Sequence, residues 1–291
     1  MSIIKKLYKH GHLSIGQTWA TDTCYEVIMG STAYAANSED GTSDMDIHAI
    51  TVPAVEMVFP HLTGWIRGFG DAPETFENFQ QHHIDAFDKN YDVAIYSIVR
   101  AFDLSADNNP NMLDMLWVPD NCVVHIDSIG EHIRKNRKHF LHTGSYHRFR
   151  GYAHQQFKRL EASTRTDIIE KYGYDTKSAY HIVRLSLQAE QILEHGDMDF
   201  SVNSAFLKEV RKGAFATLDD LKEWYKAKET ALDLLYHSDR CTLQKKPNRE
   251  FLKEILLACL EMKYGSLDKV YNGVEADVFR KLEQIKQIIN S

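Results

Sequence analysis

The sequence predicts an α+β protein in which a mixed β-sheet occupies residues 1–126 and a helical domain occupies residues 127–291. Short runs rich in β-branched and aromatic residues, which favour buried strands, occur before residue 126. After it, apolar residues recur with the 3.6-residue period of an amphipathic helix, and Gly or Pro lies in the breaks. A chain of 291 residues can form one large domain or two of ordinary size.

The predicted elements follow in order along the chain. Strands are predicted at residues 24–29, 44–52, 91–98 and 122–126, with a short helix at about residues 32–37. Helices are predicted at about residues 127–140, 146–162, 177–195, 203–212, 218–238, 249–264 and 275–289. The polar stretch from residue 80 to residue 90 predicts a loop or a short helix. We expect a ligand-binding cleft between the two halves.

The composition indicates a globular protein of a reducing compartment. Hydrophobic residues make up 43% and charged residues 26%, both ordinary values, and no apolar run is long enough to span a membrane. The N-terminus has no apolar core typical of a signal peptide. No pair of the four cysteines has zinc-ligand spacing, and Cys24, Cys122 and Cys259 are expected to be buried free thiols. We therefore expect a cytoplasmic protein without a membrane partner.

One segment near the N-terminus carries the most specific chemical pattern. Gly30-Ser31 follows the first predicted strand, and Asp44-Met45-Asp46 begins the second. Carboxylates at positions i and i+2 of a strand point to the same face, so both can reach one metal ion. Mg²⁺ prefers oxygen ligands, glycine lets the backbone approach a phosphate, and Ser31 at a helix start suits an anion. Gly-Ser alone is usually a turn and Asp-x-Asp alone a solvated loop, but their order here predicts metal-assisted phosphoryl chemistry.

A third carboxylate is expected on a neighbouring strand, because a second metal ion and the attacking hydroxyl need one. Asp92, which opens the apolar run at residues 91–98, is the best candidate. Asp85 and Asp88 lie just upstream and are alternatives. Taken alone, Asp92 would more simply be a strand-entry or cap residue.

These motifs resemble the DNA polymerase β nucleotidyltransferase superfamily, and within it the predicted nucleotidyltransferase family found beside RNA ligases. The similarity covers about residues 29–257. The chain departs from the family pattern at Ala35, where glycine is expected, at the longer spacer before Asp44, and at Leu243-Gln244, where Leu-Pro is usual. The matching segments are Gly30-Ser31-Thr32-Ala33-Tyr34, Ser43-Asp44-Met45-Asp46, Asp92, Asn109-Pro110-Asn111-Met112-Leu113-Asp114-Met115-Leu116, Gly151-Tyr152-Ala153-His154-Gln155-Gln156 and Lys177-Ser178-Ala179-Tyr180-His181-Ile182-Val183-Arg184-Leu185.

The resemblance implies a polymerase β-like catalytic domain over residues 1–126 and a helical domain over residues 127–291 that closes the cleft. It implies Mg²⁺, or alternatively Mn²⁺, held by Asp44, Asp46 and Asp92, and an NTP such as ATP as the substrate. Gly30 and Ser31 would contact the nucleotide. The resemblance does not define the acceptor; an RNA end would place the protein in RNA processing or repair.

Residues 134–159, here called the basic segment, contain no Asp or Glu in a chain of net charge −7. They hold eight Lys or Arg residues, with aromatic residues interleaved. Such a pattern is typical of a phosphate-contacting surface, and equally of a solvated helix face beside a core stripe. On the first interpretation, the residues that would bind an RNA acceptor are Arg148, Arg150, Tyr152 and Lys158.

A polar stripe runs along the helix predicted at residues 177–195. Lys177, His181, Arg184 and Gln188 are spaced to share one face of that helix. An exposed amphipathic face is the default explanation. The family pattern favours the cleft instead, where Lys177, His181 and Arg184 would bind the nucleotide and its triphosphate.

Three functions remain open from the sequence. In the first, the protein transfers an NMP from an NTP to a hydroxyl acceptor, an RNA end or a nucleotide-like molecule. In the second, the same chemistry modifies a protein, as antitoxin-type relatives do, or a small molecule. In the third, the chain is a catalytically inactive nucleic-acid-binding module. The basic segment favours the first, the acidic net charge leaves room for the second, and the three carboxylates argue against the third. A protein partner cannot be identified from the sequence.

Overall fold

The computed structural model describes residues 2–34, 44–66, 68, 69, 71 and 75–267. The helix predicted at residues 275–289, Ala35 and most of the spacer before Asp44 lie outside them. The strands are β1 (Thr23–Ile28), β2 (Met45–Thr51), β3 (Asn78–Ala86), β4 (Lys89–Ser97) and β5 (Val123–Ile126). The helices are α1 (Ile3–Lys9), α2 (Gly30–Ala33), α3 (Val55–Val58), α4 (Ile98–Ala106), α5 (Pro110–Trp117), α6 (Ser128–Lys135), α7 (Ser145–Glu161), α8 (Thr166–Tyr172), α9 (Thr176–His195), α10 (Ser204–Arg211), α11 (Leu218–Tyr236) and α12 (Arg249–Tyr264).

The strands form one mixed sheet in the order β3-β4-β2-β1-β5. The β2–β4 pair is parallel, and the β1–β2, β1–β5 and β3–β4 pairs are antiparallel. The predicted α+β class with a mixed sheet is therefore confirmed. The last strand within the described residues ends at Ile126, where the helical half was predicted to begin.

The two faces of the sheet pack against different partners. Ile47 and Ala49 of β2 belong to a small core that also contains Ile4 and Leu7 of α1. Ile50 belongs instead to the large core formed with the helices. Because side chains alternate along a strand, the even-numbered residues of β2 face the helical half of the molecule. The carboxylate-bearing face of the sheet is thus the face that the helices cover.

Helix α9 lies at the centre of the helical half. Its buried residues extend along most of its length, and it packs against α7, α10 and α11. The large core is continuous from Cys24 of β1 to Leu260 of α12. The boundary at residue 126 therefore marks a change of secondary structure, whereas the division into two domains stays a prediction.

Several predicted elements were wrong. Residues 80–90 are not a loop or a short helix, because they contain most of strand β3 and its hairpin to β4. Helices α1, α3, α4, α5 and α8 were not predicted. Helix α2 begins at Gly30, with Met29 at the N-cap, rather than at about residue 32.

Two predictions of composition can also be compared with the structure. No helix in the part of the chain that the structure describes is long and apolar enough to cross a membrane. Cys24, Cys122 and Cys259 are buried and free, as predicted.

Candidate active site

Gly30 and Asp46 are in direct contact at the start of the sheet. Gly30 has a φ of +67°, in the left-handed region that favours glycine, and a Cβ atom there would overlap Oδ2 of Asp46. The Met29 amide donates a hydrogen bond to the Asp46 carbonyl at 2.8 Å, which joins the end of β1 to β2. The glycine of the Gly-Ser motif is therefore required by the closeness of the Asp46 carboxylate.

Asp92 lies beside Asp46. Strands β2 and β4 are parallel, and Asp46 and Asp92 are direct neighbours in their register. Burial and the charge of Asp92 raise the pKa of the Asp46 carboxyl, and the nearby Lys177 partly offsets this. Asp44 precedes β2, is exposed, and also raises the pKa of Asp46. Two aspartates from different strands thus lie side by side in a partly buried environment.

The alternatives to Asp92 lie farther from this point. Asp85 pairs with Asn90 at the hairpin end of β3, beyond the β4 residue that neighbours Asp46. Asp88 is exposed in the hairpin turn and has a φ of +58°. Their positions give no reason to prefer either residue over Asp92.

The aspartate pair fits a divalent cation. Burial is the main cause of the raised pKa of Asp46, the negative charge of Asp92 adds to it, and a cation between the two carboxylates would relieve their repulsion. Carboxylate oxygens are the ligands that Mg²⁺ and Mn²⁺ prefer. Within the described residues, no three His, Cys, Asp or Glu side chains form a ready-made metal cluster. Asp44, Asp46 and Asp92 remain the predicted ligands, of which Asp46 and Asp92 are brought together.

Two histidines that sequence reasoning set aside hold Asp92 in place. The β3–β4 register shifts between Gln81 and Ile84, so His82 and His83 form a bulge opposite Asp92. The His83 amide donates a hydrogen bond to Asp92 Oδ1 at 2.8 Å, and His82 Nδ1 lies 3.4 Å from Oδ2. Both histidines are exposed, as expected for surface residues, and His83 contacts Asp92 through its backbone amide rather than its imidazole. Their signal was hidden because β3 itself was not predicted.

His48 also belongs to the site by position. It follows Asp46 by two residues on β2, so it shares the carboxylate-bearing face. Burial lowers the pKa of His48 to about 4, which leaves a neutral imidazole at neutral pH. No sequence motif pointed to this residue.

A cationic cavity opens beside the first turns of α9. Its volume is about 470 Å³. Lys177 contributes to its wall and is close enough to Asp46 to lower the pKa of that carboxyl. Burial and the cations around it, led by Arg184 and Lys177, lower the pKa of His181 well below its usual range. The principal lining residues are Gln156, Arg159, Arg165, Lys177, Ser178 and His181.

Arg184, which was predicted to hold triphosphate oxygens, has a different environment. Its side chain is only 10% exposed and forms an ion pair of 2.6 Å with the buried Asp114. It also donates a hydrogen bond of 2.5 Å to the Tyr34 hydroxyl, while Gln188 donates to Asp114 Oδ1 at 2.6 Å. This guanidinium is committed to a buried network, so we correct its role from nucleotide contact to structural anchor of α9.

Four of the eight cations of the basic segment are paired with carboxylates from other parts of the chain. Tyr152 accepts a hydrogen bond from Asn109 at 2.7 Å, and the exposed Lys158 has no carboxylate partner among the described residues. Among the predicted acceptor-binding residues Arg148, Arg150, Tyr152 and Lys158, only the cation Lys158 is therefore without a carboxylate partner in the described part of the chain. The ion pairs are Arg134–Asp120, Lys138–Asp197, Arg148–Asp107 and Arg150–Glu229.

Comparison with known proteins gives one family match. The model of the RNA repair pathway DNA polymerase beta family matches residues 9–244. No curated protein matches the chain. A solved structure, that of a nucleotidyltransferase-like protein from Exiguobacterium sibiricum 255-15, has 11% identity and a TM-score of 0.30 over 88% of this chain and 74% of that one, a similarity too distant to bear on the site. The chain belongs to the RNA repair pathway DNA polymerase beta family, as its motifs indicated.

Proposed function

We propose that the protein is a metal-dependent nucleotidyltransferase that moves an NMP from an NTP to a hydroxyl acceptor. Membership of a polymerase β family supports nucleotidyl transfer as the reaction class. The observation that carries the proposal is the position of Asp46, beside Asp92 on the neighbouring strand and against the bare backbone of Gly30. This arrangement provides paired carboxylates for a metal ion next to a glycine that a phosphate can approach.

In this proposal, Asp44, Asp46 and Asp92 hold Mg²⁺ or Mn²⁺, which when bound would neutralise charge on the phosphate oxygens. The acceptor hydroxyl attacks the α-phosphorus of the NTP. The bond from that phosphorus to the bridging oxygen breaks, and pyrophosphate leaves with the electron pair. Asp92 receives the proton of the attacking hydroxyl at Oδ2, which lies 3.4 Å from His82 Nδ1, while its Oδ1 accepts the hydrogen bond from the His83 amide. Catalysis is then positioning and charge stabilisation.

Gly30, Ser31, Lys177 and His181 are the proposed nucleotide contacts. The position of Lys177 supports this role, because its positive charge lowers the pKa of the Asp46 carboxyl. His181 would act as a neutral hydrogen-bonding group, since its pKa is well below its usual range. The acceptor is proposed to be an RNA end or a nucleotide-like molecule, on the strength of the family alone.

Alanine variants of the aspartates test the proposal. Asp44→Ala and Asp46→Ala should abolish Mg²⁺-dependent NTP turnover, measured as pyrophosphate release with total RNA present, while far-ultraviolet circular dichroism stays unchanged. Asp92→Ala should reduce turnover more than nucleotide binding, because Asp92 acts at the reacting centre. Full turnover in the Asp44→Ala/Asp46→Ala double variant would overturn the assignment.

The second candidate is transfer to a protein or small-molecule acceptor, and the pairing of the basic segment favours it. Arg148 and Arg150, which an RNA backbone would need, are already paired with Asp107 and Glu229. Fractionating a lysate after incubation with α-labelled NTP separates the two candidates. Label in RNA supports the first, and label in protein or in small molecules supports the second.

A further inference from the structure

The cavity beside α9 contains cations that the proposed function does not yet use. Arg159 lies near the end of α7, and Arg165 lies in the connection between α7 and α8. Both line the same cavity as Lys177. Sequence reasoning selected neither residue as a site residue, because they come from different elements and share no motif with the aspartates.

Arg159 is the last residue of the basic segment, and the positive charge around this cavity is less compensated than that of the four ion-paired cations of that segment. Within the described residues, neither Arg159 nor the Lys177 ammonium has a carboxylate partner. Arg165 has one, because its Nη1 lies 2.5 Å from Oδ2 of Asp175. Three cationic side chains and one ion-paired carboxylate therefore surround a cavity of about 470 Å³, and a second carboxylate, that of Asp46, is near Lys177. Burial makes His181 neutral and so it neither adds to nor reduces this positive charge at neutral pH.

Asp175 holds the wall of the cavity in a fixed arrangement. Its side chain is fully buried and accepts hydrogen bonds from the Lys177 amide at 2.9 Å and the Ser178 hydroxyl at 2.8 Å. The same carboxylate binds Arg165, so one buried group joins the α7–α8 connection to the start of α9. The first amides of α9 are used by Asp175, which leaves the side chains of Arg159, Arg165 and Lys177 to bind a ligand.

Resting on the proposed function, we infer that this cavity receives the β- and γ-phosphates of the NTP and that Arg159 and Arg165 are binding residues for the pyrophosphate leaving group. A diphosphate has enough negative charge and enough oxygens to bind three separate cations. A ligand with a single carboxylate has neither. The cavity is also on the correct side of the reaction. It lies in the helical half, which covers the sheet face that carries Asp46, where the α-phosphorus would lie.

Binding of inorganic pyrophosphate, measured by titration calorimetry without divalent metal, tests this inference apart from catalysis. Arg159→Gln and Arg165→Gln should each weaken binding about ten-fold or more, since each loses a charge-assisted hydrogen bond. Arg100→Gln is the matched control. Arg100 is also a partly exposed arginine paired with an aspartate, at 2.7 Å from Asp103, and it follows β4 at the end remote from Asp92. It should bind pyrophosphate as the unaltered protein does.

Kinetics provide the second arm. Both cavity variants should raise the KM for NTP by about ten-fold with a smaller change in kcat, because donor binding is lost before the chemical step. NTP should compete with pyrophosphate for the free protein. Any one of three results would overturn the inference: the protein does not bind pyrophosphate, both variants bind it as the unaltered protein does, or NTP does not displace it.

The two arms separate this inference from the proposed function. The protein could bind pyrophosphate through Arg159 and Arg165 and yet transfer no NMP. That result would support the pyrophosphate-binding role of the cavity and contradict the proposed nucleotidyltransferase activity. Normal NMP transfer with an unchanged KM for NTP in both variants would support the proposed function and contradict the pyrophosphate-binding role of the cavity.

Discussion

At the scale of single residues, Gly30 gives the sharpest test of the site geometry. Gly30→Ala should abolish turnover, because the added methyl displaces the Asp46 carboxylate. It should also cost about 1–2 kcal/mol of unfolding free energy for the left-handed backbone. Gly11→Ala is the control, since Gly11 has a similar φ of +74° with open space around its Cβ position. Turnover measured beside urea unfolding checks both effects, and equal turnover in the two variants would contradict the Gly30–Asp46 contact.

Asp175 gives a residue-scale prediction in pH. Burial opposes its ionisation, but hydrogen bonds from Ser178 and Ser163 and the charge of Arg165 outweigh it and lower the pKa of Asp175. A carboxyl whose folded-state pKa lies below the unfolded value stabilises the protein above the unfolded pKa of about 4, and this stability is lost as pH falls through the folded pKa. Asp175→Asn, which keeps an N-cap oxygen, should therefore be less stable by about 1–2 kcal/mol at neutral pH.

The measurement is urea unfolding of Asp175→Asn and the unaltered protein at pH 7 and at about pH 3, below the unfolded carboxyl pKa. The difference in unfolding free energy should shrink at the lower pH. A difference of the same size at both values would show that the charge of Asp175 is not what stabilises the start of α9.

At the scale of elements, α9 combines two roles along its length. Its first turns present Lys177 to the cavity, while Arg184, two turns later, is buried against Asp114. Arg184→Ala should lower the unfolding free energy by about 3–5 kcal/mol, because it leaves a buried carboxylate unpaired. Lys177→Ala, on the exposed part of the helix, should change it by about 0.5 kcal/mol or less. Chemical denaturation of the two variants checks this, and equal stabilities would refute the division of roles.

The elements also show where local sequence is sufficient to predict structure. β1, β2, β4 and β5 were found because they combine β-branched and aromatic residues with clear boundaries. β3 was missed because it is a polar edge strand whose alternation is broken by the bulge at His82 and His83. α4 was missed because the predicted strand was continued to Ile98, past Ser97, whose side chain in fact caps the helix.

The residues of the candidate site also divide into those that local sequence predicts and those that it does not. The closeness of Asp46 and Asp92 follows from strand pairing and from the expected third carboxylate on a neighbouring strand, whereas Asp44 lies just before β2. The burial of Arg184 could not be inferred, because its partner Asp114 lies 70 residues away and helical periodicity gives no information about such a contact. Arg159 and Arg165 were missed for the same reason, since only tertiary packing brings them to the cavity beside Lys177.

At the scale of the whole molecule, the pairing of charges limits what the basic segment can bind. Four of its eight cations are paired with carboxylates from other elements. If RNA contacts only the other four, a plot of log affinity against log salt should have a slope of about −3, rather than the slope of about −6 expected for eight contacts. Fluorescence anisotropy of single-stranded RNA over a range of salt concentrations measures this slope. A slope near −6 would mean that RNA displaces the ion pairs.

The fate of the three NTP phosphates is the most direct measurement of the central claim, that Asp46 and Asp92 support nucleotidyl transfer. The protein is incubated with Mg²⁺, a lysate and NTP labelled at either the α- or the γ-phosphate. We expect that α-label enters an acceptor while γ-label appears only in pyrophosphate, and that Asp46→Asn abolishes both. Transfer of the γ-label to the acceptor, or equal α-label transfer by Asp46→Asn, would contradict that claim.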